Sequence, residues 1–568
     1  MTESTSFPEQ PPTGTTSALR STEGCAHCAT PPPVLRNIPL AGTAEPVNSA
    51  ETGEATLTNE PWRDQFTEEK PRYQPRQNRK DVTLAYASLI RIPRGRRILI
   101  TGAALLLSAG SGQLYAQYDK ILALGADTST TPIGGPASSP LIATDPYDLP
   151  DLRPIGLLND QLPKWLQFGL DQRIRYEGYE NSGFKPGADD SYVLNRFRFG
   201  MIIQPVSWFK LVSQVQDARS FLQTPPIGPP NTVRWDLKLA YAQFGDPETQ
   251  PITLRVGRQI LDYNNTILSN SEWRDQARSF DAVVTDIHWD QFRASFFAAS
   301  AVVPEADGLT HHQEGNNIYG DYNTITHVIP RSKIEPFVLW RVQPSVAIVT
   351  TAKVKTGHQD EQAYGLRIAG REISNFDYRA EVIREGGSDG PNTIKAWATT
   401  LGAGYTVSSI GWKPRFFTGC DYASGDQSPT SDVHGTFDTM YPTAHDRFGI
   451  SDLFGWQNIK SVRGGVTIVP HRRWSVTGQY LDFWLASASD ALYNTSGGVI
   501  LRDPKGLSGT HVGNEVDAYT WYEINREVHV GTGLGYFMAG QFIDKAGKGA
   551  NYLYPYFVVE MFDGKRVH

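Results

Sequence analysis

From Trp165 to Phe562 the chain is a succession of short runs in which apolar and polar residues alternate, with turn residues between them. Side chains of a strand point to its two faces in turn, so each run is a strand with one apolar and one polar side. In the first, Leu166, Phe168 and Leu170 oppose Gln167, Gly169, Asp171, Arg173 and Arg175. In the next, Phe197, Phe199 and Met201 oppose Arg196, Arg198 and Gly200. Eighteen such runs begin near Trp165, Tyr192, Trp208, Arg234, Ile252, Phe280, Phe292, Ile318, Ile334, Gln362, Asn375, Ile394, Trp412, Ile459, Arg473, Val512, Glu527 and Tyr552. The linkers also alternate. Those after odd runs are long, as at 261–278 and 423–457, and those after even runs are short, as at 205–206, 290–291, 331–333 and 469–472. Tight turns at one end and long loops at the other mark a barrel that crosses the outer membrane with both ends in the periplasm. A soluble sandwich or propeller has no reason to alternate in this way. The expected fold is therefore all-β, a closed antiparallel transmembrane β-barrel of about 18 strands over residues 164–568. The last run fits least well, because Pro555 lies inside it and six residues follow Phe562.

Composition agrees and removes other classes. Hydrophobic residues make up 39% of the chain and the mean hydropathy is −0.38. A helical span needs about 20 consecutive apolar residues, and the best run, from Ile98 to Leu107, falls short. The 25 Tyr, 25 Phe, 13 Trp and 52 Gly suit a barrel whose strands each have one wet face. A formal charge of −7 gives no footing for a nucleic-acid backbone. Three cysteines, Cys25, Cys28 and Cys420, cannot form a disulfide framework. Cys25-Ala-His-Cys28 is half of a zinc spacing without the second half, and His311-His312 has no third ligand, so no metal or cofactor is expected.

Residues 1–90 are rich in Pro, Thr, Ser and Glu without periodic apolar residues, and are expected to be disordered. Arg91, Arg94, Arg96 and Arg97 then precede the apolar stretch Ile98 to Leu107 and a small-residue site ending at Ala116. That is a secretory signal peptide over 91–116, placed some 90 residues late, so residues 1–90 read as a misassigned extension. Residues 117–163 read as a flexible periplasmic lead-in.

With apolar faces toward lipid, the opposite faces line a lumen. Alternation places Arg173, Arg175, Arg196, Arg198, Arg255, Arg293, Arg367, Arg379, Arg415 and Arg463 inside, with Lys210 and Lys238. Asp171, Asp236, Asp281, Asp377, Glu381, Asp421, Glu515 and Asp517 share that side. Arginine forks hold carboxylates with two parallel bonds, and rings of Arg and Lys select anions in pores. Arg–carboxylate pairs also satisfy and stiffen a barrel wall without touching any solute. No Gly-x-Ser-x-Gly elbow, phosphate loop or nucleophile–base pair appears, and no enzyme activity is expected.

Several stretches resemble the bacterial alginate-export porins of the outer membrane. They are Asn195-Arg-Phe-Arg-Phe-Gly200, Val215-Gln-Asp-Ala-Arg219, Val256-Gly-Arg-Gln259, Trp273-Arg-Asp275 and Arg278-Ser-Phe-Asp281. The longest are Gly435-Thr-Phe-Asp-Thr-Met-Tyr-Pro-Thr-Ala-His445-Asp-Arg-Phe-Gly449, Asp452-Leu-Phe-Gly-Trp-Gln-Asn458 and His511-Val-Gly-Asn-Glu-Val-Asp517. The resemblance implies a monomeric 18-stranded barrel in the bacterial outer membrane that passes an anionic uronate polysaccharide through an arginine-rich constriction. Arg196, Arg198, Arg258, Arg274 and Arg278 are the pore arginines it implies. For Arg258 it conflicts with alternation, which puts that side chain with Leu254 and Val256 on the lipid side. The reading here follows the motif and requires a bulge or a place at the aqueous rim. The expected substrate-facing set is thus Arg173, Arg175, Arg196, Arg198, Arg258, Arg274, Arg278, Arg367, Arg463, Asp281, Glu515 and Asp517. Expected partners are outer-membrane lipid and an anionic polysaccharide or other anionic solute, with a place for periplasmic export proteins at the inner mouth. Two rivals stand beside this: a general or small-anion porin of the same architecture, and a barrel-borne hydrolase.

Overall fold

The structure, a computed structural model, describes residues 153–568 apart from 225–230, 264–265, 306–308, 350–353, 374, 429, 444, 446, 548 and 568. The expected disordered segment, the signal peptide, the Cys25–Cys28 spacing and the lead-in up to residue 152 lie outside the described residues. Among those described, no helix is long and apolar enough to cross a membrane.

Eighteen antiparallel strands close into a barrel. The first, Leu166–Tyr179, pairs with the second, Asp190–Val206, and with the last, Tyr552–Gly564, so the sheet has no free edge. Pro555 falls in a gap of the closing seam, between Tyr556, which pairs with Glu177, and Leu553, which bridges to Glu180. Its missing N–H therefore breaks no bond to the first strand. A two-residue segment, Val433–His434, joins the sheet from a long loop and runs parallel to Thr393 and Ile394.

Each of the eighteen runs corresponds to a wall strand, with two starts displaced. The strands expected near Ile318 and Gln362 begin earlier, as His311–Thr326 and Val354–Ile373. His311 and His312 therefore lie on a strand, opposite Val303 and Val302. Above the membrane a hairpin needs no lipid-facing side, so its pairing continues where the apolar alternation stops. The lead-in also ends differently from expectation, in the helix Pro154–Gln161. Proline suits its first turn, and the Asp563 carboxylate accepts from the backbone N–H of Ile155 (2.7 Å) and Gly156 (3.1 Å).

Ile174, Val256, Val283, Leu401 and Val516 are exposed on the outer face, and Trp208, Trp289, Trp412 and Trp474 are exposed at the turns of the periplasmic end. Together they form the apolar band and one aromatic girdle. Inside, the extracellular half is not empty. Phe437, Phe448, Phe454 and Trp456 come from the loop between Ala423 and Ile459, and they pack into a buried core with Phe483 and Phe537 of the wall. At the periplasmic end the chain tail turns inward. Val567 packs with Val212, Leu239 and Tyr241. A Cβ at Gly200 would stand 2.4 Å from the Val567 side chain, so only glycine leaves room for it.

Candidate functional site: a lumen crossed by two clasped loops

The site is built by two loops that fold into the barrel. One joins the strands Ile252–Gln259 and Phe280–Trp289, and the other joins Arg415–Ala423 and Ile459–His471. They meet as a short parallel bridge between Leu268 and Tyr441. The Ser269 N–H donates to the Tyr441 carbonyl at 2.8 Å, and the Tyr441 N–H donates to the Ile267 carbonyl at 3.0 Å. Trp273 of the first loop stacks on His445 of the second, with ring centres 3.8 Å apart and planes 7° from parallel.

Alternation sends Arg173, Arg175, Arg196 and Arg198 inward from two adjacent strands, and all four meet the first loop. Arg173 donates to the carbonyls of Glu272 (2.9 Å), Trp273 (2.9 Å) and Arg274 (3.0 Å), and to Asp275 (3.2 Å). Arg175 donates to the Trp273 carbonyl, lies 4.2 Å from the centre of its ring, and pairs with Glu177 at 2.7 Å. Arg196 pairs with Asp171 (3.2 Å) and Glu272 (2.8 Å), and Arg198 pairs with Glu272 (2.5 Å). Lys238 donates to the carbonyls of Ala277 (2.7 Å) and Arg278 (2.9 Å). All five cations are buried. Burial alone would raise the Glu272 carboxyl, but Arg198, Arg196, Lys238 and Arg173 outweigh it and hold the group below the usual carboxylate range. Burial, reinforced by neighbouring Arg274, draws the Arg278 guanidinium down to about 9.

The second loop is gripped in the same manner. Arg341 bonds to both Glu361 and Asp438, and Glu385 accepts the Asp438 N–H at 3.0 Å. Arg447 reaches back from the loop to Asp421 (2.9 Å) and to Thr266 of the first loop (2.7 Å). Arg463 donates to the Arg447 carbonyl at 3.2 Å. Glu515 and Asp517 accept the backbone N–H groups of Ser451 (3.1 Å) and Ile450 (3.2 Å). Arg367 pairs with Glu335 across neighbouring strands. Of the two loop arginines expected at the pore, Arg278 donates to the carbonyls of Ser269 (2.6 Å) and Tyr441 (2.7 Å), fastening one loop to the other. Arg274 reaches Ser496 of a third loop at 3.1 Å.

Two expected residues are not in the lumen. Arg258 stands opposite Asp281, and Val256 stands opposite Val283 on the same face, where both valines are exposed to the lipid side. Arg258 and Asp281 hold each other in a two-bond pair (2.8 and 3.1 Å) on that outer face, at the extracellular end of their strands. Alternation was therefore right for Arg258 against the motif. For Asp281 it failed because the lumen is not wet at that level: Phe280, Ala282 and Val284 point inward and are buried.

Alternation alone missed Arg341, Glu361 and Arg447. The strand carrying Arg341 has Phe337 and Leu339 on its inner face and Val338 and Trp340 on its outer, so neither side reads as polar. A signal for Arg447 was present: a loop with Phe437, Met440, Tyr441, Phe448, Phe454 and Trp456 is too apolar to stay in water. Among the described residues no three His, Cys, Asp or Glu side chains gather as metal ligands.

Residues 164–553 match the family model for alginate export. The chain belongs to the alginate export family. It is an outer-membrane β-barrel porin. Solved structures similar to this family member include Pseudomonas aeruginosa OccK8 (OprE), at 10% identity and TM-score 0.49, covering 71% of this chain and 99% of that one. Another is P. aeruginosa OpdL, at 9% identity and TM-score 0.48, covering 71% and 100%. A third is Acinetobacter baumannii OccAB4, at 11% identity and TM-score 0.48, covering 70% and 98%. No curated protein matches the sequence.

Proposed function

We propose that this porin passes an acidic polysaccharide of uronate type across the outer membrane, without covalent chemistry. The observation that carries the reading is the concentration of inward arginines around a loop that itself brings Arg274 and Arg278 across the lumen. A cation held in a narrow, low-dielectric wall acts on passing charge far more strongly than one on an open surface. On this reading Arg173, Arg175, Arg196, Arg198, Arg367 and Arg463 act through the field they set up and the loops they hold. Arg274, facing the mouth, meets the polymer directly. The nearby acids Glu515 and Asp517 keep the net field moderate, so that an anion that enters also leaves. A closed wall leaves no strand edge to pair, which favours a monomer.

Planar-bilayer recording on the purified protein tests this. An anion-selective current blocked by short oligouronates, but not by neutral oligosaccharides of equal length, is the expected result. Cation selectivity, or equal block by both sugars, would refute it. The second reading, a channel for small organic anions, draws on the apolar packing that fills the extracellular half. It predicts anion current that short monocarboxylates carry and that oligouronates leave unblocked.

A further inference from the structure

The periplasmic half of the lumen holds a feature that the loop clasps do not use. A cavity of about 530 Å³ opens beside the turns at 247–251 and 289–292, within the range of about 300–1,000 Å³ usual for small-molecule sites. Its roof is the start of the first inward loop, Asp262 and Tyr263. Tyr263 is fixed by a ladder of stacked rings. It lies 5.2 Å from Phe297 and 5.2 Å from Tyr322, and Tyr322 lies 5.3 Å from Phe337. The cavity is therefore framed by three strands and one loop locked together by aromatic packing.

Its lining mixes both signs: Glu248, Asp262, Asp290 and Glu335 stand with Arg293, Lys333 and His288, and Glu335 is engaged by Arg367. Arg293 and Lys333 enter it from strands on either side of His311–Thr326. The register places Arg293 opposite Thr324 and Lys333 opposite Thr326. With one strand between them and an offset of two residues along it, their backbones stand about 12 Å apart, so both long side chains can reach one anion. Arg293 is partly exposed and shares Asp286 with Arg255. Two further polar atoms of the cavity, Asp262 Oδ1 and His288 Nε2, are buried and have no hydrogen-bond partner among the described residues. Buried polar atoms are nearly always satisfied, so these two leave bonds that a ligand or a water in the cavity can fill. Burial raises the Asp262 carboxyl to about 7, which lets it donate as well as accept near neutral pH.

We infer that this cavity is an entry subsite on the periplasmic side that binds one acidic sugar unit of the polymer. Arg293 and Lys333 hold the sugar's carboxylate, and Asp262 and His288 bond its hydroxyls. The inference rests on the uronate-channel reading above and adds to it the place where the chain is first engaged.

The test is block of the full-length protein in oriented bilayers by a uronate trisaccharide, added to one side at a time, with maltotriose as the neutral control. Arg293→Gln with Lys333→Gln is expected to raise the half-blocking concentration from the periplasmic side about tenfold or more, since charge-assisted hydrogen bonds are lost. Block from the extracellular side should stay as in the wild type. His288→Ala alone should give a smaller rise, again on one side only. Heat-dependent gel mobility and retained conductance check that the variants have closed barrels. Periplasmic block unchanged in the double variant, or weakened equally from both sides, overturns the subsite while leaving the channel reading intact. Wild-type protein that the uronate blocks from neither side overturns both.

Discussion

Arg173 is the most heavily engaged side chain of the first-loop clasp, and its removal has a calculable effect. Its guanidinium is 2% exposed and meets three loop carbonyls and the buried Asp275 carboxylate. Arg173→Met keeps most of the aliphatic bulk but leaves Asp275 and the carbonyls without their donor. Stripping one partner from a buried ion pair costs about 3–5 kcal/mol, and water entering the lumen brings the figure toward the lower end. At about 3 kcal/mol, local opening of the loop becomes roughly a hundredfold more populated. The wall should not notice, because backbone pairing of Arg173 with Arg196 and Glu560 does not depend on the side chain. Amide hydrogen exchange in detergent reads this directly. Residues 271–279 should exchange about a hundred times faster, while the strand Trp474–Leu485 keeps its wild-type protection. Unchanged exchange at 271–279 would show that the arginine does not hold the loop, and the account of the clasp would be wrong.

Three further outcomes follow from the same geometry. Gly449→Ala should detach the second loop locally, because Gly449 has φ +87° and a Cβ there would lie 2.3 Å from the Glu515 carboxylate; limited proteolysis should find a new site within 445–455, at a local cost of about 1–3 kcal/mol. The depressed Glu272 carboxyl means that its pairing stabilises the loop at every pH above the usual carboxylate range and is lost only as pH falls below that range. Conductance should therefore become noisy only at strongly acidic pH in the wild type, and Glu272→Gln should show that noise already at neutral pH. Arg258→Gln should leave the reversal potential in a salt gradient unchanged, since the side chain faces outward and pairs with Asp281; a shift as large as that given by Arg274→Gln would put Arg258 back in the lumen.

The wall was legible because lipid imposes a rule on every other residue. Ile174 and Val516 obey it, and so do Arg173 and Glu515 beside them on the other face. Where the rule lapses, the reading weakened for a definite reason. At His311 and His312 the strand stands above the membrane, so no apolar face was demanded. At Phe280, Ala282 and Val284 a loop fills the lumen, so the inner face is apolar too and the parity of Asp281 was misassigned.

The contents of the lumen were harder to read, because a side chain's direction does not reveal its partner. Alternation aimed Arg173, Arg196 and Arg198 inward, but nothing in their strands says that Glu272, 74 to 99 residues away, will meet all three. That meeting changes what the arginines do. On the proposed function, a guanidinium sealed against loop carbonyls does not touch a passing solute; it sets how often the loop moves aside, and its charge acts at a distance. Selectivity and gating are then two effects of the same residues. Removing Arg173 should alter the frequency of opening more than the preference for anions, whereas removing the partly exposed Arg274 should do the reverse.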